Sequence, residues 1–579
     1  MSARRARAPV GLALILVLLL GTGSAAAQSA GSAAAPPATG ATGTTKADPN
    51  KVVPVTDLDA PQAGYALTGR QVLDIAAKDP TAREVVREVK GAYPGAYTKG
   101  PGRWQVSYFS RDKPPKEVAQ LYLSDGTRKV TEAYTGYKVA WTMARGYAGA
   151  FGKKVNSPWV WIPLTVLFLL PFVRVRGVRF DLAVLAAFGI SVAYFNDAQV
   201  DTSVPLVYPL LAYLLVRALW LGLRRAEAPR EPLKLLVPPF VLLVGVLFLL
   251  GFRVGLNVTS SNVIDVGYAG VIGADKLASA EPIYGTFPSD NEHGDTYGPV
   301  NYGAYLPFVQ AFGWSGTWDG DLPAAHAAAI AFDLLACGLL FLLGRRMRGP
   351  TLGIVLAYLW VAFPFSLYAL MSNSNDALVA VFVVLALLVA SGPKRRGAAV
   401  ALGGLTKFAT LALAPLFATH GYARTRLRGV IAFSVAFALV ALVALAPVIA
   451  QGESFSTVYD RTLGFQASRG SPFSLWGLYD LPVAQSVWQG LSVLLALVLA
   501  VVPRRRDVVG LAGCAAAIVI ALQVGVTLWF YLYIVWFFPL LAVALFARYA
   551  EPAPRGPALP QDVVGTPSQG RSSGSIALA

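Results

Sequence analysis

The chain has 579 residues, of which 55% are hydrophobic and 14% charged, and its formal net charge is +17. Soluble proteins are less apolar than this, and apolar runs of about twenty residues recur along the chain. The positive charge does not indicate nucleic-acid binding, because many basic residues fall in short clusters between apolar runs, which is the positive-inside pattern of membrane topology. Cys337 and Cys514 lie inside apolar runs, so a disulfide framework and a zinc site are both unsupported. The composition predicts a polytopic membrane protein.

The first 28 residues have the features of a secretory signal peptide. Arg4, Arg5 and Arg7 precede an apolar core and an Ala-rich end. A retained anchor helix is the alternative, and in either case the next part of the chain is exported. Residues 29–54 are rich in Ala, Gly, Thr and Pro, a composition that predicts a flexible linker.

Residues 55–147 have the composition of a small extracytoplasmic α+β domain. Thr68 is expected to cap a helix that runs to Lys90, and Asp125-Gly126 to form a hairpin turn. Alternating runs at 104–109, 118–123 and 129–133 predict a small antiparallel sheet.

The end of this domain has a short resemblance of its own. Val130, Thr135-Gly136 and Val139 resemble part of a PepSY-type module. Because no catalytic constellation accompanies them, a binding or regulatory role is expected of the domain.

About eleven membrane spans and one re-entrant segment are predicted. The spans are placed near 157–173, 181–195, 204–222, 235–252, 323–344, 350–370, 376–391, 429–450, 483–503, 508–527 and 529–548. If segment 397–418 crossed fully, the basic residues of 424–428 and 504–506 would lie outside. A broken helix that returns, with Gly403-Gly404 at the break and Lys407 pointing inward, leaves every basic cluster on one face. This topology puts the N-terminal domain outside the cytoplasmic membrane and a disordered tail, 551–579, inside.

The loop 253–322 is acidic, aromatic and far longer than a turn between spans requires, which predicts a functional site. A helix is predicted from Val263 to about Ser279, with Ser261 or Asn262 as its cap. Its apolar residues form one narrow stripe, as in a helix that lies on the membrane surface. Asp265 and Tyr268 then face away from the membrane. Asp265 falls in the first turn, where the helix dipole favours an ionised carboxylate, and stabilising the helix start is its alternative role.

Several short motifs occur one after another in a recognisable order. They are NVIDVGY at 262–268, EPIY at 281–284, YGPVNY at 297–302, LPF at 306–308, NSND at 373–376, GGLTK at 403–407 and QASRGSPFS at 466–474. Together they resemble the GT-C-fold glycosyltransferases, especially glycosyltransferase family 87 and its polyprenyl-phosphate-mannose-dependent relatives. The sequence departs from the family pattern at 298–302 and in the acidic insertion 289–296.

The resemblance extends over about 235–548 and implies an all-α, GT-C-like membrane bundle there, with 157–222 as accessory transmembrane helices. It also implies that Asp265 is the catalytic base.

Glycosyl transfer from a lipid-phosphate sugar needs a carboxylate to take the acceptor proton and cations to stabilise the departing phosphate. Asp265 is assigned the first role, and Arg461, Arg469 and Lys407 are expected to bind the donor phosphate. The two arginines have snorkelling to lipid headgroups as an equal alternative. Lys407 is costly in an apolar segment unless it is paired or faces a cavity, which favours a functional role.

Ten further side chains are expected to contact substrate: Tyr268, Tyr284, Asp290, Glu292, His293, Asp295, Tyr297, Asn301, Tyr302 and Asp376. Capping of the following helix is the alternative for Asp376. The charged residues of 289–296 have a divalent-cation site or a solvated tip as alternatives. Aromatic residues, among them Trp314 and Trp318, also accumulate at membrane interfaces without ligands. No cofactor is expected.

The sequence therefore predicts an inverting membrane glycosyltransferase. It is expected to move mannose or arabinose from a polyprenyl phosphate to a lipid, glycan or protein acceptor outside the cytoplasmic membrane. One alternative is a transporter or lipid-carrier flippase, in which Lys407 and the re-entrant segment form the translocation path. Another is a sensor or assembly protein organised around the exported domain. Replacing Asp265 by Asn discriminates among these, because only the enzyme needs its carboxylate as a base.

Overall fold

The structure is a computed structural model that describes residues 52–112, 115–145, 155–225, 231–318, 322–421, 426–468, 471–502 and 507–551. The predicted signal peptide, the linker up to residue 51 and the tail beyond Glu551 lie outside these ranges.

The N-terminal domain is a five-stranded antiparallel sheet with two helices. Its strands lie in the order β1-β2-β3-β4-β5. They are β1 Val52–Pro54, β2 Tyr93–Lys99, β3 Arg103–Phe109, β4 Glu117–Ser124 and β5 Lys129–Thr135. The last three are the strands that the alternating sequence pattern predicts. Strand β1 pairs with β2 and takes into the sheet residues 52–54, which the composition assigns to the flexible linker.

Two helices, α1 Gly69–Ala76 and α2 Pro80–Glu88, replace the single predicted helix. Thr68 caps α1 as expected, since its hydroxyl accepts from the Gln71 N–H while the Gln71 side chain accepts from the Thr68 N–H. The prediction of one continuous helix is wrong because Asp79 caps a second helix, whose first residue, Pro80, has no N–H to donate.

Asp125 connects the hairpin between β4 and β5 to the residues that precede α1. Its carboxylate accepts hydrogen bonds from the Ala66 N–H (2.7 Å), the Leu67 N–H (3.0 Å) and the buried Trp104 Nε1 (2.9 Å). Burial alone raises the pKa of Asp125, but these hydrogen bonds and the nearby Arg128 bring it below its usual value. The ionised carboxylate therefore stabilises this corner of the domain.

The remaining chain is almost entirely helical. Its helices are α3 Tyr137–Arg145, α4 Pro158–Leu169, α5 Arg179–Asn196, α6 Val200–Leu223, α7 Pro239–Ser260, α8 Asp265–Ala278, α9 Pro299–Phe312, α10 Pro323–Arg348, α11 Pro350–Ala362, α12 Pro364–Met371, α13 Asp376–Leu388, α14 Pro393–Gly404, α15 Ala414–Thr419, α16 Arg426–Ala450, α17 Phe455–Tyr459, α18 Phe465–Ser468, α19 Leu475–Leu478, α20 Pro482–Val501, α21 Val508–Gly525 and α22 Ile534–Phe546. Each predicted span overlaps one of the apolar helices in this series.

Among the described residues, six helices (α5, α6, α7, α10, α16 and α20) are long and apolar enough to cross a membrane. The bent pair α11 and α12, with a 56° angle between its parts, makes a seventh if it is one span. The other apolar helices are shorter than 18 residues. This architecture is compatible with a multi-pass membrane protein.

A buried ion pair holds the bend between α11 and α12. Arg253 of α7 donates to both carboxylate oxygens of Asp333 on α10, and the exposed fraction of each side chain is 2% or less. Arg253 Nη1 also donates to the Val361 carbonyl and to Ser366 Oγ, both at 3.1 Å, across the break. Trp360 Nε1 also donates a hydrogen bond to Asp333 Oδ1, at 2.9 Å. Arg253, placed by sequence at the start of the long loop, is thus a helix residue, and the loop begins after Ser260.

The segment 397–418 turns back on itself, as predicted. Helix α14 ends at Gly404, and a 3₁₀ turn, Phe408–Leu413, leads into the short α15. Arg396 Nη2 donates to the Ala418 carbonyl at 3.3 Å, so the two ends of the segment are neighbours. Lys407 therefore lies at the inner tip of a broken helix.

One end of the bundle carries the long connections, and we call it the loop face. It comprises loop 261–322, link 372–375 and loop 451–481. The N-terminal domain is attached at the same end: Trp141 Nε1 donates to the Phe195 carbonyl at 2.7 Å, and the Phe195 ring contacts Phe473 of the second loop.

Candidate functional site

Helix α8 begins at Asp265, two residues later than predicted, and its N-cap position is Ile264. Ser261 and Asn262 are not its caps, because residues 262–264 run extended along link 372–375. The N–H groups of Asn262 and Ile264 donate to the carbonyls of Met371 (3.3 Å) and Ser372 (3.1 Å). This pairing places Asp265 at the first residue of the helix.

Helix α8 is buried rather than lying on a surface, so the predicted surface helix is wrong. All residues of 267–274 are buried. Helix α9 approaches closely because α8 has glycines where the two meet: a Cβ on Gly270 would lie 2.6 Å from the Tyr305 ring. Tyr268, expected to face outward, has an exposed fraction of 0%.

Asp265 itself is exposed at the start of this buried helix. Its carbonyl accepts a hydrogen bond from Asn291 Nδ2 at 3.0 Å. One turn further, the Tyr268 hydroxyl donates to Asp290 Oδ2 at 3.2 Å. The helix start is therefore joined to the acidic insertion by two consecutive residues, Asp290 and Asn291.

Two tryptophans pack on Tyr268, the residue whose hydroxyl donates to the Asp290 carboxylate. The ring centroids of Trp318 and Trp314 lie 4.7 and 5.8 Å from that of Tyr268. Both indoles are partly exposed. An aromatic surface of this kind beside a carboxylate suits the apolar face and the hydroxyls of a sugar.

The acidic insertion contacts the second loop through Arg461. Arg461 Nε donates to Asp295 Oδ2 at 2.6 Å and Nη2 to the Glu292 carbonyl at 2.5 Å. Asp295 is fully buried and also accepts from the Gly285 N–H. The hydrogen bond to Asp295 raises the pKa of Arg461, so the guanidinium stays ionised.

Two further contacts connect the loops. The His293 ring stacks on Phe465 with centroids 4.4 Å apart. Glu453 accepts from the Ile283 N–H (2.5 Å) and the Tyr284 N–H (3.0 Å), one on each carboxylate oxygen. Burial raises the pKa of Glu453 despite these two hydrogen bonds. The long loop and the second loop thus lie on the same face.

Three of the tyrosines expected to touch substrate form the interior of the long loop. Tyr284 donates to the Tyr297 carbonyl at 2.9 Å, and Tyr302 donates to the Gly294 carbonyl while accepting from the Tyr297 N–H. Tyr284 and Tyr302 are buried, so their rings present no face for stacking in this structure. Tyr297 is half-buried and covers Lys407.

Lys407 and Asp376 form a buried ion pair beneath the long loop. Lys407 Nζ lies 2.6 Å from Asp376 Oδ1, and the side chains are 9% and 1% exposed. The ammonium also lies over the rings of Tyr297 (5.3 Å), Tyr533 (5.7 Å) and Trp536 (4.9 Å). Trp536 Nε1 donates to the same carboxylate oxygen. Asp376 is not a side-chain helix cap, since its carboxylate is used by Lys407 and Trp536.

The expected site residues thus fall into two groups. One group joins the long loop to the second loop and comprises Asp265, Asp290, Glu292, His293, Asp295 and Arg461. The other joins the long loop to the buried ion pair and comprises Tyr297, Asn301, Asp376 and Lys407. Backbone hydrogen bonds connect the two sets of residues. The Gly298 N–H donates to the Thr406 carbonyl and the Val300 N–H to the Leu405 carbonyl, directly before Lys407. Arg469 lies outside the described residues. In the described ranges, no three or more His, Cys, Asp or Glu side chains are arranged to hold a metal ion.

Glu453, Asn291, Asn375 and Trp536 are site residues that the sequence patterns do not single out. Asn375 belongs to the NSND motif, which is a usable signal, and its Nδ2 donates to Asn301 Oδ1 at 2.7 Å. The others carry no local pattern, since each acts on a residue far away in the chain.

Comparison of the chain with protein-family models, with curated proteins and with solved structures found no match.

Proposed function

We propose that this protein is a membrane glycosyltransferase of the GT-C kind, which moves a sugar from a polyprenyl phosphate to an acceptor outside the cytoplasmic membrane. The observation that carries the proposal is the acidic insertion, which contacts both the helix start that bears the exposed Asp265 and the Arg461 guanidinium. Asn291 Nδ2 donates to the backbone carbonyl of Asp265, and the backbone carbonyl of the next residue, Glu292, accepts from Arg461. A base and a phosphate-binding group belong together in glycosyl transfer.

Asp265 is the proposed base. Its carboxylate takes the proton of an acceptor hydroxyl while that oxygen bonds to the anomeric carbon of the donor. The bond from this carbon to the phosphate oxygen breaks, and polyprenyl phosphate leaves with the electron pair. A single displacement of this kind inverts the anomeric configuration.

Arg461 and Lys407 are proposed to stabilise the leaving phosphate, with Arg469 as a third cation. Each of the first two holds a carboxylate in this structure, Asp295 and Asp376 respectively. An ammonium has three donors and a guanidinium five, so each can bind a phosphate oxygen while it keeps its carboxylate. The donor sugar is proposed to be mannose or arabinose.

The acceptor is proposed to lie over Trp314 and Trp318, with Asp290 and His293 at its edge. At the loop face, Asp290 and His293 are exposed and the two indoles are partly exposed. Tyr268 supports the platform from below without touching the acceptor.

We further propose eleven crossings with the loop face outside. This count needs α4, α13, α21 and α22 to cross in addition to the six long helices and the bent pair. A cysteine introduced at Arg424 is then labelled only from the inside. The two native cysteines are buried, which keeps background labelling low. Labelling from the outside would contradict the orientation.

Transfer by the purified full chain in liposomes tests the enzyme assignment. The donors are mannosyl and arabinosyl polyprenyl phosphates, and the acceptors are lipid and glycan fractions of a bacterial envelope. Asp265→Asn is expected to lower kcat about 10²- to 10⁴-fold, the usual contribution of a general base. Asp275→Asn, on the same helix, is the control and should retain transfer. Full transfer by folded Asp265→Asn would refute Asp265 as the base.

A lipid-carrier transporter is the second candidate, and the Lys407 and Asp376 pair favours it. Buried charges at the tip of a broken helix are typical of transport paths. In the same liposomes, a transporter would translocate the donor lipid unchanged. Translocation that survives Asp265→Asn, and that stops in the double variant Lys407→Met with Asp376→Asn, which leaves no unpaired buried charge, would select this function over transfer.

A further inference from the structure

Four buried side-chain atoms beneath the long loop have no hydrogen-bond partner among the described residues. They are Asn301 Nδ2 and Tyr305 OH on α9, and Asn375 Oδ1 and Asp376 Oδ2 at the start of α13. The four residues are at most 1% exposed. A buried polar atom without a partner lowers the stability of a protein, so four in one place require an explanation.

Contacts show that the four belong to one cluster. The remaining amide atoms of Asn301 and Asn375 bond each other at 2.7 Å. Asp376 comes directly after Asn375. Tyr305 lies four residues after Asn301 on α9, so the two side chains are on the same face of that helix.

The unused atoms have complementary chemistry. Asp376 Oδ2 and Asn375 Oδ1 accept hydrogen bonds, Asn301 Nδ2 donates, and the Tyr305 hydroxyl does either. A ligand that satisfies all four needs neighbouring groups that both donate and accept. Adjacent hydroxyls of a sugar have this property, whereas an apolar chain or a bare phosphate does not.

The cluster also has a cation at its edge. Asp376 Oδ1 forms an ion pair with Lys407, whose side chain is the more exposed of the two. An anionic group attached to the sugar would therefore meet the ammonium while the hydroxyls meet Asp376, Asn375 and Asn301.

We propose that this cluster, Asn301, Tyr305, Asn375 and Asp376, binds the hydroxyl groups of the donor sugar. The inference rests on the proposed function and adds to it the residues that recognise the sugar, as distinct from the base and the phosphate ligands. All four atoms are covered in this structure, so binding of the sugar requires α9 and link 372–375 to separate.

The test compares two tyrosines of one helix. Tyr305→Phe removes a hydroxyl that has no partner, and its ring still packs on Gly270 and Phe332. Tyr302→Phe, the control, removes a hydroxyl that makes two hydrogen bonds within the long loop. Both residues are 0% exposed. Tyr305→Phe should therefore fold as stably as the wild type, whereas Tyr302→Phe loses stability.

Affinity is measured on the full chain in nanodiscs with mannosyl and arabinosyl polyprenyl phosphates, each against the same polyprenyl phosphate without sugar. The wild type is expected to bind one sugar-bearing lipid at least about tenfold more tightly. Tyr305→Phe should reduce this ratio about three- to tenfold, as the loss of one hydrogen bond does. Tyr302→Phe should keep the ratio.

A wild-type ratio of one, or an unchanged ratio in Tyr305→Phe, overturns the proposal and leaves the cluster as a site for buried water only. Asp265→Asn separates this inference from the proposed reaction. If Asp265→Asn keeps full transfer while Tyr305→Phe still lowers the affinity ratio, Asp265 is not the base but the proposed sugar site is retained.

Discussion

Replacing Lys407 by Met is expected to destabilise the protein by about 3–5 kcal/mol, because it leaves the Asp376 carboxylate buried without its cation. The side chains are only 9% and 1% exposed, and the N–O distance is 2.6 Å. Trp536 Nε1 then remains as the one side-chain donor to that carboxylate among the described residues. The exposed pair of Arg70 and Asp59 is the matched control. Its side chains are 59% and 67% exposed, so Arg70→Met should lower the stability far less than Lys407→Met.

A double-mutant cycle separates the ion pair from packing. Lys407→Met combined with Asp376→Asn has no buried charge, so it should recover most of the stability lost in the single variant. The free energy of unfolding is measured by denaturation of the full chain in mixed micelles, with donor transfer measured in parallel. A cost below about 1 kcal/mol for Lys407→Met, or a double variant no more stable than the single one, would refute a paired, desolvated charge. Transfer should be lost in both variants even where stability returns, because the phosphate has lost its ammonium.

Three further outcomes are expected. Ionised Asp125 should stabilise the N-terminal domain fully above the usual carboxyl pKa of 3.8, and this stabilisation should be lost as the pH falls through the lower pKa of the folded state. The loss is measured as faster hydrogen exchange of the strands around Trp104, and unchanged protection in acid contradicts the prediction. Glu453→Gln has one acceptor oxygen for two backbone N–H groups, so exchange at residues 283 and 284 should rise at least severalfold, whereas Glu281→Gln, an exposed carboxylate that pairs with Lys276 instead, should not change it. Trp318→Ala should raise the acceptor KM about two- to tenfold with little change in kcat, and Trp159→Ala, an 87% exposed indole at a helix start, should leave it unchanged; equal effects would mean that the indoles act only as interfacial anchors.

Predictions that rest on local rules agree with the structure. The apolar runs, the Thr68 cap, the Asp125-Gly126 hairpin and the break at Gly404 each depend on residues within a few positions of one another. Strands β1 and β2 escape sequence-based prediction because Pro54, Pro94 and Gly95 interrupt the alternating pattern that marks a strand.

Predictions that need a partner from elsewhere are less accurate. Tyr268 lies opposite the apolar stripe of α8, which predicts an outward side chain. The glycines of that helix let α9 approach, however, and Tyr268 is buried. The sequence assigns Arg461 either to a phosphate or to lipid headgroups, yet its guanidinium donates to Asp295, 166 residues away.

The sequence by itself determined the apolar helices, the small α+β domain near the N-terminal end and the polar loop that carries Asp265, because segment lengths and local apolar patterns decide these features. Tertiary structure alone decided which charges meet. Lys407 pairs with Asp376 across 31 positions. The four unpartnered atoms come together because α9 lies against link 372–375. Such pairings depend on how helices pack, and packing is set by side-chain shape across the whole bundle rather than by any local pattern.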